Sequence, residues 1–131
     1  MTASHPGFVF DPQTFDDDVT PKLNVSCEIV NALLHAPADA PVDTKFFSKF
    51  IDVRDIANTH VLAIQKDNLA GQRLLLTNGA FGQQDIFNII NDDFPQLKRK
   101  IPPSNPNTDV NNGNLGCKIK TKNERLHRFL I

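Results

Sequence analysis

Tyrosine and tryptophan are absent from this chain. The first absence excludes from it any acid catalysis that pairs a tyrosine hydroxyl with a lysine. Cysteine is nearly absent: Cys27 and Cys117 lie far apart, form no C-x-x-C pair and supply no disulfide framework. Charge of one sign is lacking too, since the formal net charge is -1, which gives no electrostatic footing for nucleic acid or an anionic membrane surface. The longest basic run, Lys98-Arg99-Lys100, reads as a solvated face. No apolar run approaches the roughly 18 residues of a membrane span, and no secretory signal pattern stands at the start. A reducing, cytoplasmic setting is the expectation.

Catalytic signatures are missing as well. There is no G-x-S-x-G, no H-E-x-x-H, no phosphate-binding loop and no G-x-G-x-x-G pyrophosphate cradle. His5, His35, His60 and His127 have no mutual metal-ligand spacing. The aspartates Asp16 to Asp18 have no second ligand cluster and read as a solvated, self-repelling loop. No catalytic residue and no metal site is assigned.

What is present is an ordinary globular composition, 40% hydrophobic and 22% charged over 131 residues, a length suited to one domain. Met1 to Phe10 reads as extended and ends in the apolar run Phe8-Val9-Phe10, with Asp11-Pro12-Gln13 as a turn. A first helix is expected from Pro21 to His35, capped by Thr20, with Leu23, Cys27, Val30 and Leu34 as its buried stripe. Cys27 is thereby expected to be buried. Ala36 to Val42 is a proline-broken loop. Phe50-Ile51 is a short extended piece before a second helix, Val53 to Lys66, capped by Asp52 with Asp55 at its positive end. Its apolar face is expected to be Val53, Ile56, Ala57, Val61 and Ile64.

Arg73 to Thr77 reads as a parallel strand buried on both faces, and Asn78-Gly79 as a turn. A third helix, Gln83 to Asp93, points Ile86, Ile89 and Ile90 inward and ends at Pro95. Pro102 to Gly116 reads as a long loop outside the core, and Thr121 to Glu124 as a capping box opening a short terminal helix. The alternation of strands and helices indicates an α/β chain. With so few strands, no complete doubly wound sheet is expected, and the fold looks incomplete on its own.

Several segments fall together in an informative order. Pro6-Gly7-Phe8-Val9-Phe10-Asp11-Pro12-Gln13 is followed by Leu23-Asn24-Val25-Ser26-Cys27-Glu28 and by Phe50-Ile51-Asp52-Val53-Arg54-Asp55-Ile56-Ala57. Gly71-Gln72-Arg73-Leu74 and Asn91-Asp92-Asp93-Phe94-Pro95-Gln96-Leu97-Lys98 complete the series. From about Thr2 to Leu130 this order resembles the extended short-chain dehydrogenases/reductases, in the dihydroflavonol-reductase-like branch. Within that branch it is most similar to the C-terminal part of the yeast NADPH-dependent methylglyoxal/isovaleraldehyde reductases.

The resemblance implies a C-terminal piece of an NAD(P)-binding Rossmann-fold reductase: late sheet strands plus the substrate-binding lobe. It further implies one partial epimerase/dehydratase-like domain over 1–131, without the Gly-rich cofactor half. The family's catalytic Ser, Tyr and Lys lie upstream of the matching segment, and its last helical segment extends past Ile131. NADPH is the implied cofactor and a small aldehyde or ketone the implied substrate. Val9 and Ser26 match cofactor contacts, and Phe8 matches an aromatic wall of the substrate pocket. His5 stands where the family has Asn and Asp11 where it has Gly, which suggests relaxed constraint on the cofactor side. Three expectations follow. The chain is an NADPH-dependent oxidoreductase portion inactive alone, or one part of a split reductase completed by a complementary half, or a non-enzymatic protein-interaction remnant.

Overall fold

The computed structural model describes residues 2–10 and 21–108. Among these, five strands alternate with three α-helices: β1 (Ala3–Pro6), β2 (Phe8–Phe10), α1 (Val25–Leu34), β3 (Phe47–Asp52), α2 (Val53–Gln65), β4 (Arg73–Leu76), β5 (Gly79–Gly82) and α3 (Gln83–Asp93). The strands form a two-stranded sheet, β1-β4, and a three-stranded sheet in the order β2-β3-β5. This is the expected α/β architecture with small sheets in place of a doubly wound one. No helix among the described residues is long and apolar enough to cross a membrane. The turn at Asp11-Pro12-Gln13, the acidic triplet, Thr20, Cys117 and the terminal capping box lie outside the described residues.

The chain divides into two compact units. The first contains 2–10 and 49–79. In it β1 runs parallel to β4, with Ala3 opposite Arg73 and Pro6 opposite Leu76. The following strand, β2, runs parallel to β3, with Phe8 opposite Phe50, Val9 opposite Ile51 and Phe10 opposite Asp52. Gly7 joins β1 to β2 and must be glycine, because a Cβ there would stand 2.6 Å from the Lys49 carbonyl oxygen. The core is Ile51, Leu69, Leu74 and Leu76, with Val9, Ile56, Leu62 and Ala63 packed around it.

Two expectations for this unit need correction. On β4 only alternate residues are buried, and Leu75 remains 43% exposed; Leu74 and Leu76 belong to the core against which Ile56, Leu62 and Ala63 of α2 pack. On α2 the packed side is Ile56, Leu62 and Ala63 with buried Thr59, while Ala57, Val61 and Ile64 face outward, Ile64 being 86% exposed. Apolar residues run round most of this helix, so two stripes at helical spacing compete and periodicity alone does not choose between them. Thr59 is accommodated because its hydroxyl donates to the Asp55 carbonyl at 2.7 Å. The cap at Asp52 is as expected.

The second unit contains 21–48 and 80–108. Its core is Leu33, Phe87, Ile90 and Ile101, joined by Ile29, Ala36, Val42, Ile86 and Leu97. Helix α1 starts later than expected. Asn24 is its cap and accepts from the Cys27 N–H at 2.9 Å, so Pro21 precedes the helix. Its inward residues are Ile29 and Leu33; Leu23, Leu34 and Cys27 are exposed. The neighbouring core selects the i, i+4 pair that meets Phe87 and Ile90. Helix α3 has the expected bounds, yet Ile89 is exposed and the unheralded Phe87 is 2% exposed.

The segment after α3 is more ordered than a loop reading implies. Ile101 and Pro102 are fully buried. The Asn91 side-chain N–H donates to the Pro102 carbonyl at 3.0 Å, and Gln84 donates to the Pro103 carbonyl at 3.1 Å. Asn88 Oδ1 accepts from Ser104 Oγ at 3.0 Å and from the Asn105 N–H at 2.8 Å. Gln84, Asn88 and Asn91 recur at i, i+4 and i+7, so one polar stripe of α3 holds the whole strap.

Candidate functional site

In the first unit, β2 and β3 bring the aromatic residues of the chain's N-terminal motif to one place. Side chains alternate along a strand. Val9 and its partner Ile51 therefore face the leucine core, and Phe8, Phe10 and Phe50 share the other face. All three aromatics are half-buried. The Phe10 and Phe50 rings lie 6.5 Å apart at 58°, a tilted arrangement favoured by their quadrupoles. The Asn78 N–H donates to the Phe50 carbonyl at 2.8 Å, which ties the end of β4 to β3. Gly79 also approaches this ring, since a Cβ there would stand 2.8 Å from Phe50 Cε1. The expected turn at Asn78-Gly79 is therefore only a bend, and Gly79 already begins β5. Sequence reading missed β5 because a four-residue strand bounded by glycines carries almost no alternation.

Asp52 closes β3 beside these rings, opposite Phe10. Its Oδ1 accepts from the Arg54 N–H and from Arg54 Nε, both at 2.8 Å, and Arg54 Nη2 reaches Oδ2. The side-chain hydrogen bond from Arg54, then its backbone N–H, lowers the Asp52 pKa from 3.8 to about 2. The carboxylate is thus ionised near neutrality but locally matched by a guanidinium. A half-exposed aromatic face with no uncompensated charge at Asp52 suits a small, weakly polar group such as a carbonyl compound.

The residues singled out from sequence fall in both units. Phe8 stands on the aromatic face. Val9 is packed against the leucine core. Ser26 belongs to the second unit, in the first turn of α1 one residue before the capped Cys27 N–H, and is half-buried. The structure therefore brings Phe8 and Val9 together on one strand and sets Ser26 on a different element. Phe10 and Phe50 were missed as partners of Phe8; the F-x-F spacing of Phe8 and Phe10 was the available signal. No group of three or more His, Cys, Asp or Glu among the described residues could hold a metal ion.

No family model matches the chain. Curated relatives do. A putative uncharacterised oxidoreductase of Saccharomyces cerevisiae is 53% identical over 108 residues, covering 82% of this chain and 31% of the relative. The NADPH-dependent methylglyoxal reductase of the same yeast is 41% identical over 125 residues, covering 95% of this chain and 36% of the relative. The solved yeast methylglyoxal/isovaleraldehyde reductase complexed with NADPH superposes with a TM-score of 0.81 at 36% identity, over 98% of this chain and 39% of that one. The chain thus spans about a third of the length of the curated relatives it matches.

Proposed function

We propose that this chain, a homologue of the yeast NADPH-dependent methylglyoxal reductases over about a third of their length, serves as the substrate-side portion of an NADPH-dependent aldehyde or ketone reductase. The observation that carries the proposal is the likeness to the NADPH-complexed yeast enzyme, which runs through 98% of the chain. In this reading 1–131 is one partial epimerase/dehydratase-like domain, working in a cytoplasmic setting. Methylglyoxal and isovaleraldehyde, the aldehydes in that relative's name, are the substrates to try first.

In this reading Phe8, with Phe10 and Phe50 beside it, forms the flat apolar wall against which a small carbonyl compound rests. Burial there removes apolar surface from water at about 25 cal/mol per Å². Val9, gripped by the leucine core, would fix the strand that carries Phe8 and, by the family resemblance, contact NADPH. Ser26 supplies a hydroxyl toward the cofactor from the start of α1. NADPH, when bound, supplies the hydride. The sequence contains no tyrosine, so no Tyr-Lys acid within it would protonate the carbonyl oxygen.

The expected result is that the purified chain oxidises no NADPH in the presence of methylglyoxal or isovaleraldehyde. Mixed with a polypeptide comprising the first two thirds of the yeast methylglyoxal reductase, it should associate and restore turnover. Phe8→Ala should then raise KM for isovaleraldehyde. Turnover by the chain alone would overturn the inactive-alone reading. Absence of any association would overturn the split-reductase reading and leave an interaction remnant.

A further inference from the structure

Within the first unit, a polar pair on β1 and α2 is unused by the reductase reading. Ser4 Oγ lies 3.1 Å from His60 Nε2, and His60 Nδ1 lies 2.8 Å from the Ile56 carbonyl oxygen. A carbonyl can only accept, so Nδ1 carries the ring proton. The neutral ring then presents the Nε2 lone pair to the serine, whose hydroxyl donates to it. Ile56 stands one turn before His60 on α2, so the helix itself fixes the tautomer and the ring direction. Ser4 is fixed from the other side: it pairs with Leu74 in the parallel ladder, between Ala3 and His5. Ser4 is half-buried and His60 is exposed, so the pair is open to a small reagent.

A hydroxyl within hydrogen-bond reach of a base, with the base oriented by a third group, is the arrangement that activates a weak oxygen nucleophile. We propose that Ser4 and His60 form a covalent modification site for acyl electrophiles of the activated-ester class. The Ser4 oxygen bonds to the carbonyl carbon of the ester while Nε2 takes the hydroxyl proton. The bond from that carbon to the departing oxygen then breaks, and the departing phenol or alcohol takes the proton from the imidazolium. The product is a serine ester, with no change in oxidation state. The other serines, Ser26, Ser48 and Ser104, are internal controls, since among the described residues none of them lies against a histidine ring nitrogen; Ser104 bonds to Asn88 instead.

The test is treatment of the full chain with p-nitrophenyl acetate, followed by digestion and mass mapping of each serine. Ser4 should be acetylated well ahead of Ser26, Ser48 and Ser104. His60→Gln, whose circular dichroism should match the parent, should slow Ser4 acetylation about a hundredfold, the scale of a positioned general base. Should that variant fail to fold, the parent chain pretreated with diethyl pyrocarbonate, which caps Nε2, should show the same loss at Ser4. Equal acetylation of all four serines, or a Ser4 rate unmoved by either treatment, would reduce the contact to a tether between β1 and α2 and overturn the proposal.

Discussion

In the first unit the buried residues Ile51, Leu69, Leu74 and Leu76 sit mainly on parallel strands, where backbone pairs with backbone along the ladders. In the second, Leu33, Phe87, Ile90 and Ile101 sit on two helices and a proline-rich strap, and the strap's carbonyls are closed by amide side chains of α3. The cores draw on similar apolar residues; the polar bookkeeping differs. A sheet satisfies its backbone whatever the side chains, so the first unit should be sensitive to shape, above all where backbones touch. A strap has no ladder, so the second unit should be sensitive to the chemistry of particular side chains.

The largest effect should come from emptying the second core. Phe87 is 2% exposed and bridges α1, α3 and Ile101. Phe87→Ala should cost about 3–5 kcal/mol from lost transfer energy and the cavity left behind. Hydrogen exchange should show α1 and α3 losing protection while β1 and β4 keep theirs. If β1 and β4 lose protection equally, the two cores do not behave as separate units and the comparison fails.

Shape sensitivity in the first unit is sharpest at Gly7. Its missing Cβ would meet the Lys49 backbone oxygen at 2.6 Å and the carbonyl carbon at 2.8 Å. Backbone held by the β2-β3 pairing cannot step aside as a side chain can. Gly7→Ala should therefore cost about 1–3 kcal/mol, the usual range for overpacking. Gly79→Ala, which meets only the Phe50 ring at 2.8 Å, should cost less because the ring can turn. Denaturant midpoints followed by circular dichroism decide the order; a larger loss at Gly79 would mean that the aromatic face is the stiffer part.

Both units were legible in part from sequence. The bounds of α2 and α3 were legible because a cap opens the first and a proline closes the second, each beside a periodic run. The inward faces of α1 and α2 were not. Residues such as Cys27, Leu34, Val61 and Ile64 fit a helical stripe as well as the true one, and only the packing partner decides between them. The strap from Pro102 to Asn105 read as loop because prolines mask burial, and its anchoring amides are ordinary on a helix until their partners are known. Of the candidate site, the family motif singled out Phe8 and Val9 in the sequence, whereas Phe50 joins them only through strand pairing.

The smallest effect concerns Asp52, where the first unit depends on side-chain chemistry after all. Its folded pKa of about 2 lies below the ordinary 3.8. A depressed carboxylate stabilises the fold when ionised, so its contribution is fully present above pH 3.8 and is lost as pH falls through about 2. Arg54 is 77% exposed, so solvent screens the pair and little of the unit's stability rests on it. The carboxyl carbon resonance of Asp52 should titrate with a midpoint near 2 in the parent chain. In Arg54→Ala the midpoint should move only partway back, because the backbone N–H of residue 54 still donates to Oδ1. A complete return to 3.8 would mean that the guanidinium, and not the helix cap, holds the turn from β3 into α2. An unmoved midpoint would assign the shift to the cap alone.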